Sequence, residues 1–156
     1  MRLGLCSVIL AGVLTAAAPD PVAWTVGHAP PKPLKGGARF SATVVAHIQD
    51  GWHMYGLKSV ADGPIATRIW VAEGQPAQLA APVQGTTPQT MQDPSFNMEV
   101  QLYEGEATFT LPLRLTATVP PGPQRILLSA SYQSCDNKIC LPPKTVKIEL
   151  PVTVAK

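Results

Sequence analysis

Two cysteines, Cys135 and Cys140, stand five positions apart in the segment Tyr132-Gln133-Ser134-Cys135-Asp136-Asn137-Lys138-Ile139-Cys140-Leu141-Pro142-Pro143. A polar Asp-Asn-Lys tip between them lets the chain turn back, so the two sulfurs can meet in a disulfide. Closing so short a loop stabilises a fold by only about 2 kcal/mol. The bond can therefore be a small structural staple or a redox pair, and both readings stay open on spacing alone. Other chemistries fit less well. The pair is not Cys-x-x-Cys and no βαβ pattern surrounds it, which excludes a thioredoxin active site. A structural zinc site needs four ligands, and His28, His47 and His53 show no ligand spacing. A Cys–His protease is excluded because neighbouring cysteines in an exported protein would oxidise each other. A copper site could draw on His53, Met54, Met91 and Met98, although scattered methionines usually serve as packing.

Asp136 beside the pair disfavours a thiolate and Lys138 favours one, so no strongly activated cysteine is expected. A third cysteine, Cys6, lies in a segment of different character. Met1-Arg2 opens onto an apolar run from Leu3 to Leu14, closed by Thr15-Ala16-Ala17-Ala18. A short positive start, an apolar run and small residues at its end have the form of a secretory signal peptide, here residues 1–18. The run falls short of the roughly 20 residues that span a bilayer. Cleavage would remove Cys6 and leave the pair as the only cysteines, in a compartment that permits disulfides. The net charge of +2 gives no footprint for nucleic acid or a membrane surface.

The elements that must position these residues are strands. The 17 Pro and 12 Gly among 156 residues are hard to reconcile with helices, and 46% apolar residues exclude disorder. Four segments alternate with a period of two, the mark of a strand with one buried face. They are Ala38–Ile48, with Phe40, Ala42, Val44, Ala46 and Ile48 inward; Ala107–Ala117, with its odd-numbered residues inward; Ile126–Tyr132; and Val146–Val154. Val22–Val26, Trp52–Tyr55, Thr67–Val71 and Glu99–Leu102 are weaker candidates. Pro112 and Pro151, on outward positions, predict edge strands or bulges. Ala72–Pro94 is the longest irregular stretch, and Trp24, Trp52 and Trp70 are expected in the core or packed on a sheet. Seven or eight strands with dense turns predict a single all-β domain over residues 19–156, a two-sheet sandwich.

The motif Tyr132-Gln133-x-Cys135-x4-Cys140-x-Pro142-Pro143 resembles the active-site segment of the N-terminal periplasmic domain of the transmembrane disulfide reductase DsbD. Asp50-Gly51-Trp52-His53-x-Tyr55, then Gly63-Pro64 with Thr67, is similar to an earlier strand of that family. Asp93-x-x-Phe96, Glu99-Val100 and Tyr103-Glu104-Gly105 are similar to its cap loop and the strand after it, so the likeness runs from about Phe40 to Val152. The resemblance implies an immunoglobulin-like fold and a periplasmic thiol–disulfide relay, a protein-disulfide reductase without a cofactor; a monomer is expected, although the residues leave the oligomeric state open. By position, Cys140 would form mixed disulfides with partners and Cys135 would resolve them. Phe96 would cap the disulfide, and His53, Tyr55 and Tyr132 would line the site. The implied partners are thioredoxin-like periplasmic proteins, including disulfide isomerases and cytochrome c maturation reductases. Two departures bear on this. The family's best-known member has one more residue between its cysteines, and this chain carries neither a membrane electron carrier nor a thioredoxin domain. Its electron source is therefore expected to be separate. The competing reading is an interaction or adaptor module of the same fold whose disulfide only holds a loop.

Overall fold

The computed structural model describes residues 20–156, so the predicted signal segment lies outside the described residues. Among the described residues every regular element is a strand: β1 (Val22–His28), β2 (Arg39–Ile48), β3 (His53–Tyr55), β4 (Arg68–Val71), β5 (Ala77–Leu79), β6 (Gln84–Gly85), β7 (Gln89–Asp93), β8 (Met98–Tyr103), β9 (Glu106–Leu115), β10 (Gly122–Tyr132), β11 (Ser134–Cys135) and β12 (Lys144–Val154).

Hydrogen bonding gathers them into three antiparallel sheets. The first runs β1-β2-β9-β5, with β6 also on β9; the second is β12-β10-β4; the third is β11-β3-β8-β7. The second and third form one broken layer. β10 runs into β11 through Gln133, whose carbonyl accepts the Tyr55 N–H at 3.4 Å. The first sheet is the other layer, and the result is an immunoglobulin-like β-sandwich.

The alternating segments bury the faces their patterns predict. Ala42, Val44 and Ala46 of β2 and Phe109, Leu111 and Leu113 of β9 are fully buried, as are Ile126, Leu128 and Ala130 of β10 and Leu150 of β12. They form one core between the layers. Trp24 lies flat on Phe109 at 5.6 Å, and Tyr103 meets the same ring edge-on at 5.3 Å. Such offset and edge contacts suit the quadrupoles of aromatic rings. Trp52 packs on this core half-buried, whereas Trp70 is turned outward on β4.

Four expectations need correction. Ala72–Pro94 is not irregular: it contains β5, β6 and β7, short polar strands ordered by bonding to β9 and β8. The strand total is twelve among the described residues rather than seven or eight. Ala117 is exposed beyond the end of β9, and Val119 takes the buried position instead. Pro112 lies on an interior strand in unbroken register with β2, opposite Ser41. Its missing donor is tolerated because its other side faces the break between β5 and β6, where only its carbonyl is engaged, by the Ala80 N–H at 2.8 Å. Pro151 does sit on the outer strand of its sheet, β12, as predicted.

The N-terminal end of the domain is tied down beside the core. Asp20 accepts hydrogen bonds from the Tyr132 hydroxyl at 2.8 Å and the Lys144 ammonium at 2.7 Å. Burial alone would raise its pKa, but these partners and the Val22 N–H outweigh it and hold the carboxyl below its ordinary value.

Candidate functional site

The third sheet serves two cores at once, because side chains alternate across a strand. On β3, Met54 points into the main core while Tyr55 points the other way. On β8, Val100 and Leu102 share the face of Tyr55, and Tyr103 belongs to the main core. The second face carries its own small cluster of Tyr55, Val100, Leu102 and Cys135, with Phe96, Met98 and Cys140 packed against it.

Cys135 pairs in register with His53 across β11 and β3. The chain then turns tightly. The Asp136 N–H donates to the Ile139 carbonyl and the Leu141 N–H to the Ser134 carbonyl, both at 2.9 Å. Cys135 and Cys140 thus form a directly opposed pair between two hydrogen-bonded rungs, with Cα atoms 4.0 Å apart and the disulfide closed. Asp136 accepts the Lys138 and Ile139 N–H groups at 2.7 Å each, which fixes the tip. The Ile139 and Lys138 N–H groups hold the Asp136 carboxyl below its ordinary pKa. Asp136 is therefore engaged with the turn backbone, a use its sequence position beside Cys135 does not reveal. Gln133 braces the hairpin from behind, accepting the Ile65 N–H at 3.0 Å and donating to the Leu141 carbonyl at 3.4 Å.

The four-residue loop Pro94–Asn97 joins β7 and β8, which pair as far as Asp93 opposite Met98, and carries Phe96 against the cluster that holds Cys135. One oxygen of buried Asp93 accepts the Ser95 N–H at 2.7 Å and the Phe96 N–H at 3.3 Å. Asn97 completes the turn at φ 51°, a left-handed conformation that Asn adopts more readily than most residues. This geometry drops the Phe96 ring onto the cluster, edge-on to Tyr55 at 5.9 Å and 89°.

Tyr55 is the hub. Its hydroxyl lies 2.7 Å from the second oxygen of Asp93, 3.2 Å from Cys135 Sγ and 4.0 Å from Cys140 Sγ. A phenol has one proton, and the carboxylate is the stronger acceptor, so it takes the bond while the disulfide is intact. Burial, reinforced by the Asp93 bond and charge, pushes the Tyr55 pKa far up. His53 stands at the rim, edge-on to Tyr55 at 5.3 Å. Burial lowers its pKa, and the charges of Asp93, Glu104 and Asp136 offset that only in part. The two sulfurs differ in access: Cys135 is 1% exposed, whereas Cys140 is partly exposed.

Five of the six residues expected at the site are therefore brought together: Cys135, Cys140, Phe96, His53 and Tyr55. Tyr132 is not among them. It is buried in the main core at 1% exposure, against Trp24 and bonded to Asp20. Its place at the end of the inward series Ile126, Leu128, Ala130 already signalled the core. Asp93 is the residue whose role the sequence did not reveal, since its dual bonding depends on Tyr55 lying 38 positions away. Among the described residues no group of His, Cys, Asp and Glu could hold a metal ion, and the copper candidates do not converge: Met54 is in the main core and Met91 is exposed on β7.

Residues 29–151 match the sequence family described as Thiol:disulfide interchange protein DsbD, N-terminal. The chain belongs to the DsbD N-terminal domain family. Membership of that family, with the Cys135–Cys140 disulfide in place, supports a role in thiol–disulfide exchange. Among solved structures, the chain is similar to the reduced DsbD N-terminal domain of Neisseria meningitidis, at 20% identity and a TM-score of 0.48, over 79% of this chain and 81% of that one. It is also similar to a family 123 glycoside hydrolase from Clostridium perfringens at 7% identity, TM-score 0.38, over 86% of this chain and 28% of that one. A third likeness is to AggA, the major fimbrial subunit from Escherichia coli, at 13% identity, TM-score 0.34, over 88% and 98%. These structural likenesses are loose, and the family assignment rests on the sequence match. No curated protein matches the chain.

Phe96 packs against the cluster that holds Cys135 and Cys140, so its ring should limit access to the disulfide. Replacing Phe96 by Ala is expected to speed reduction of the disulfide by a small dithiol roughly tenfold, equivalent to ~1.4 kcal/mol of barrier. Quenched alkylation of the freed thiols over time measures it. An unchanged rate would show that Phe96 packs without shielding.

Proposed function

We propose that the chain is a periplasmic electron relay, exported through residues 1–18 and working as a monomer between thioredoxin-fold partners. A thioredoxin-like protein, itself supplied by a separate membrane electron carrier, would reduce it, and periplasmic thioredoxin-fold proteins would take the electrons onward. Family membership and the form of the first eighteen residues support this reading. The observation that carries it is the unequal access of the two sulfurs in a cluster against which Phe96 packs.

In the reductive half, the donor's thiolate attacks Cys140 Sγ. A partner–Cys140 bond forms as the Cys135–Cys140 bond breaks, and the electron pair leaves on the Cys135 sulfur. That sulfur is buried within reach of the Asp93–Tyr55 pair, and a thiolate beside a carboxylate is unfavourable, so it takes up a proton. Until that proton arrives, the Cys135 thiolate competes with Asp93 for the Tyr55 hydroxyl, which lies 3.2 Å from the sulfur. The donor's second thiolate then attacks its own sulfur in the mixed disulfide and leaves oxidised, releasing Cys140. The oxidative half runs in reverse: Cys140 thiolate opens the acceptor's disulfide, and Cys135 resolves the complex by re-forming the internal bond. The acceptor departs as a dithiol.

Redox titration tests the proposal. A relay should equilibrate with a thioredoxin couple near about −270 mV, both forms being populated. A disulfide that stays closed below about −300 mV is structural and would overturn it, leaving a module whose hairpin is merely stapled.

A further inference from the structure

We propose that His53 supplies and removes the proton of the buried Cys135 sulfur, acting through the hydroxyl of Tyr55. The inference rests on the exchange reading above and adds a residue to it. Cys135 has no direct route to bulk water, being 1% exposed, and the polar hydrogen that lies near it is that of Tyr55, 3.2 Å away. Tyr55 cannot act as a proton source by itself, because a tyrosinate would then be left buried against the Asp93 carboxylate. A second group must replace the proton as it leaves. His53 Nε2 lies 3.5 Å from the Tyr55 oxygen, a long contact of the kind that shortens when a reaction complex forms. The imidazole is only half-buried, so it can exchange protons with solvent. It is held in place twice: by register opposite Cys135 and by the edge-on contact with the Tyr55 ring.

The proton count balances in both directions. When the disulfide is opened, the imidazolium of His53 gives a proton to the Tyr55 oxygen as the Tyr55 proton passes to the Cys135 thiolate, and His53 is recharged from water. When Cys135 must attack a mixed disulfide, its proton returns along the same two atoms and leaves from His53. The charged groups facing His53 are the carboxylates of Asp93 below the cap, Glu104 after β8 and Asp136 on the hairpin. They favour the imidazolium, while burial favours the neutral ring. Histidine is the side chain that can hold both states near neutral pH. Because it acts through Tyr55, His53 is a positioning and relay residue that does not touch the exchanging sulfurs.

The test uses reduced protein mixed with glutathione disulfide. Glutathione release from the Cys140 mixed disulfide reports the attack by Cys135, and its rate is followed from pH 5 to 9 by rapid acid quenching. The wild-type profile should carry an inflection below the ordinary imidazole pKa. His53→Phe, which keeps an aromatic ring against Tyr55, should lose that inflection and slow release at pH 7 about tenfold, the low side of what a positioned proton-transfer group contributes. His53→Gly should be slow and recover on adding imidazole. A wild-type profile in His53→Phe overturns the proposal, as does slowing that imidazole leaves unrelieved. If wild-type protein itself never forms or resolves the mixed disulfide, the exchange reading fails instead.

Discussion

Replacing Cys135 by Ser is expected to leave the protein covalently attached to its thioredoxin-fold partners, whereas replacing Cys140 by Ser should abolish capture and exchange together. The expectation follows from access. Cys140 is partly exposed at the end of the hairpin, while Cys135 lies at 1% exposure between Tyr55 and the β3 backbone partner His53. A partner thiolate can reach the first sulfur and not the second. With Cys135 gone, nothing re-forms the internal disulfide, so a mixed disulfide through Cys140 persists. With Cys140 gone, the remaining thiol is buried and its thiolate is disfavoured by the nearby Asp93 carboxylate. Both variants lose the same short loop closure, about 2 kcal/mol, so a stability loss cannot produce the difference between them. Non-reducing electrophoresis with a purified thioredoxin-fold protein reads the outcome. Equal capture by both variants, or capture through Cys135 alone, contradicts the assignment.

The second large effect is on folding rather than exchange. Phe109→Ala is expected to destabilise the domain by about 3–5 kcal/mol, a large share of a typical total of about 5–15 kcal/mol. Phe109 is wholly buried on β9, and two aromatic neighbours, Trp24 and Tyr103, are built around its ring. Gly85 on β6 closes the remaining side so tightly that a β-carbon there would lie 3.1 Å from the Phe109 ring and collide with the Tyr103 hydroxyl. Because Trp24 and Tyr103 sit on different sheets, the cavity opens where the two layers are joined and cannot easily collapse. Urea unfolding should show a lower midpoint at an unchanged slope. The reduction potential of the Cys135–Cys140 pair should hardly move, since Phe109 belongs to the main core and the cysteines to the smaller cluster. A loss below about 1 kcal/mol would mean that the surrounding rings repack into the space.

How far the sequence could be read depended on how each residue is held. β2, β9, β10 and β12 were legible because each buries one face against one core, which writes a period of two into the chain. β5, β6 and β7 were not. They hold two to five mostly exposed residues, and they are strands because β9 and β8 offer bonding edges, a property of the neighbours. Tyr132 shows the opposite hazard. Its place in the motif that resembles the family's active-site segment suggested the site, yet the alternation of its own strand pointed it into the core. His53 and Tyr55 were placed by resemblance, while Asp93 gained its function from a hydrogen bond spanning 38 positions.

The sequence by itself determined the class of fold, the four principal strands and the capacity of two nearby cysteines to join. Each of these depends on residue type and short spacing, which local geometry translates directly. Only the tertiary structure decided that the disulfide is unequal, that Tyr55 stands between it and a buried carboxylate, and that Phe96 packs against the same small cluster. These arise because one short sheet, with β3 at its centre, turns Met54 and Tyr103 to the main core and Tyr55, Val100 and Leu102 to a second. Which faces meet is set by strand pairing across distant segments, and no local pattern records that choice.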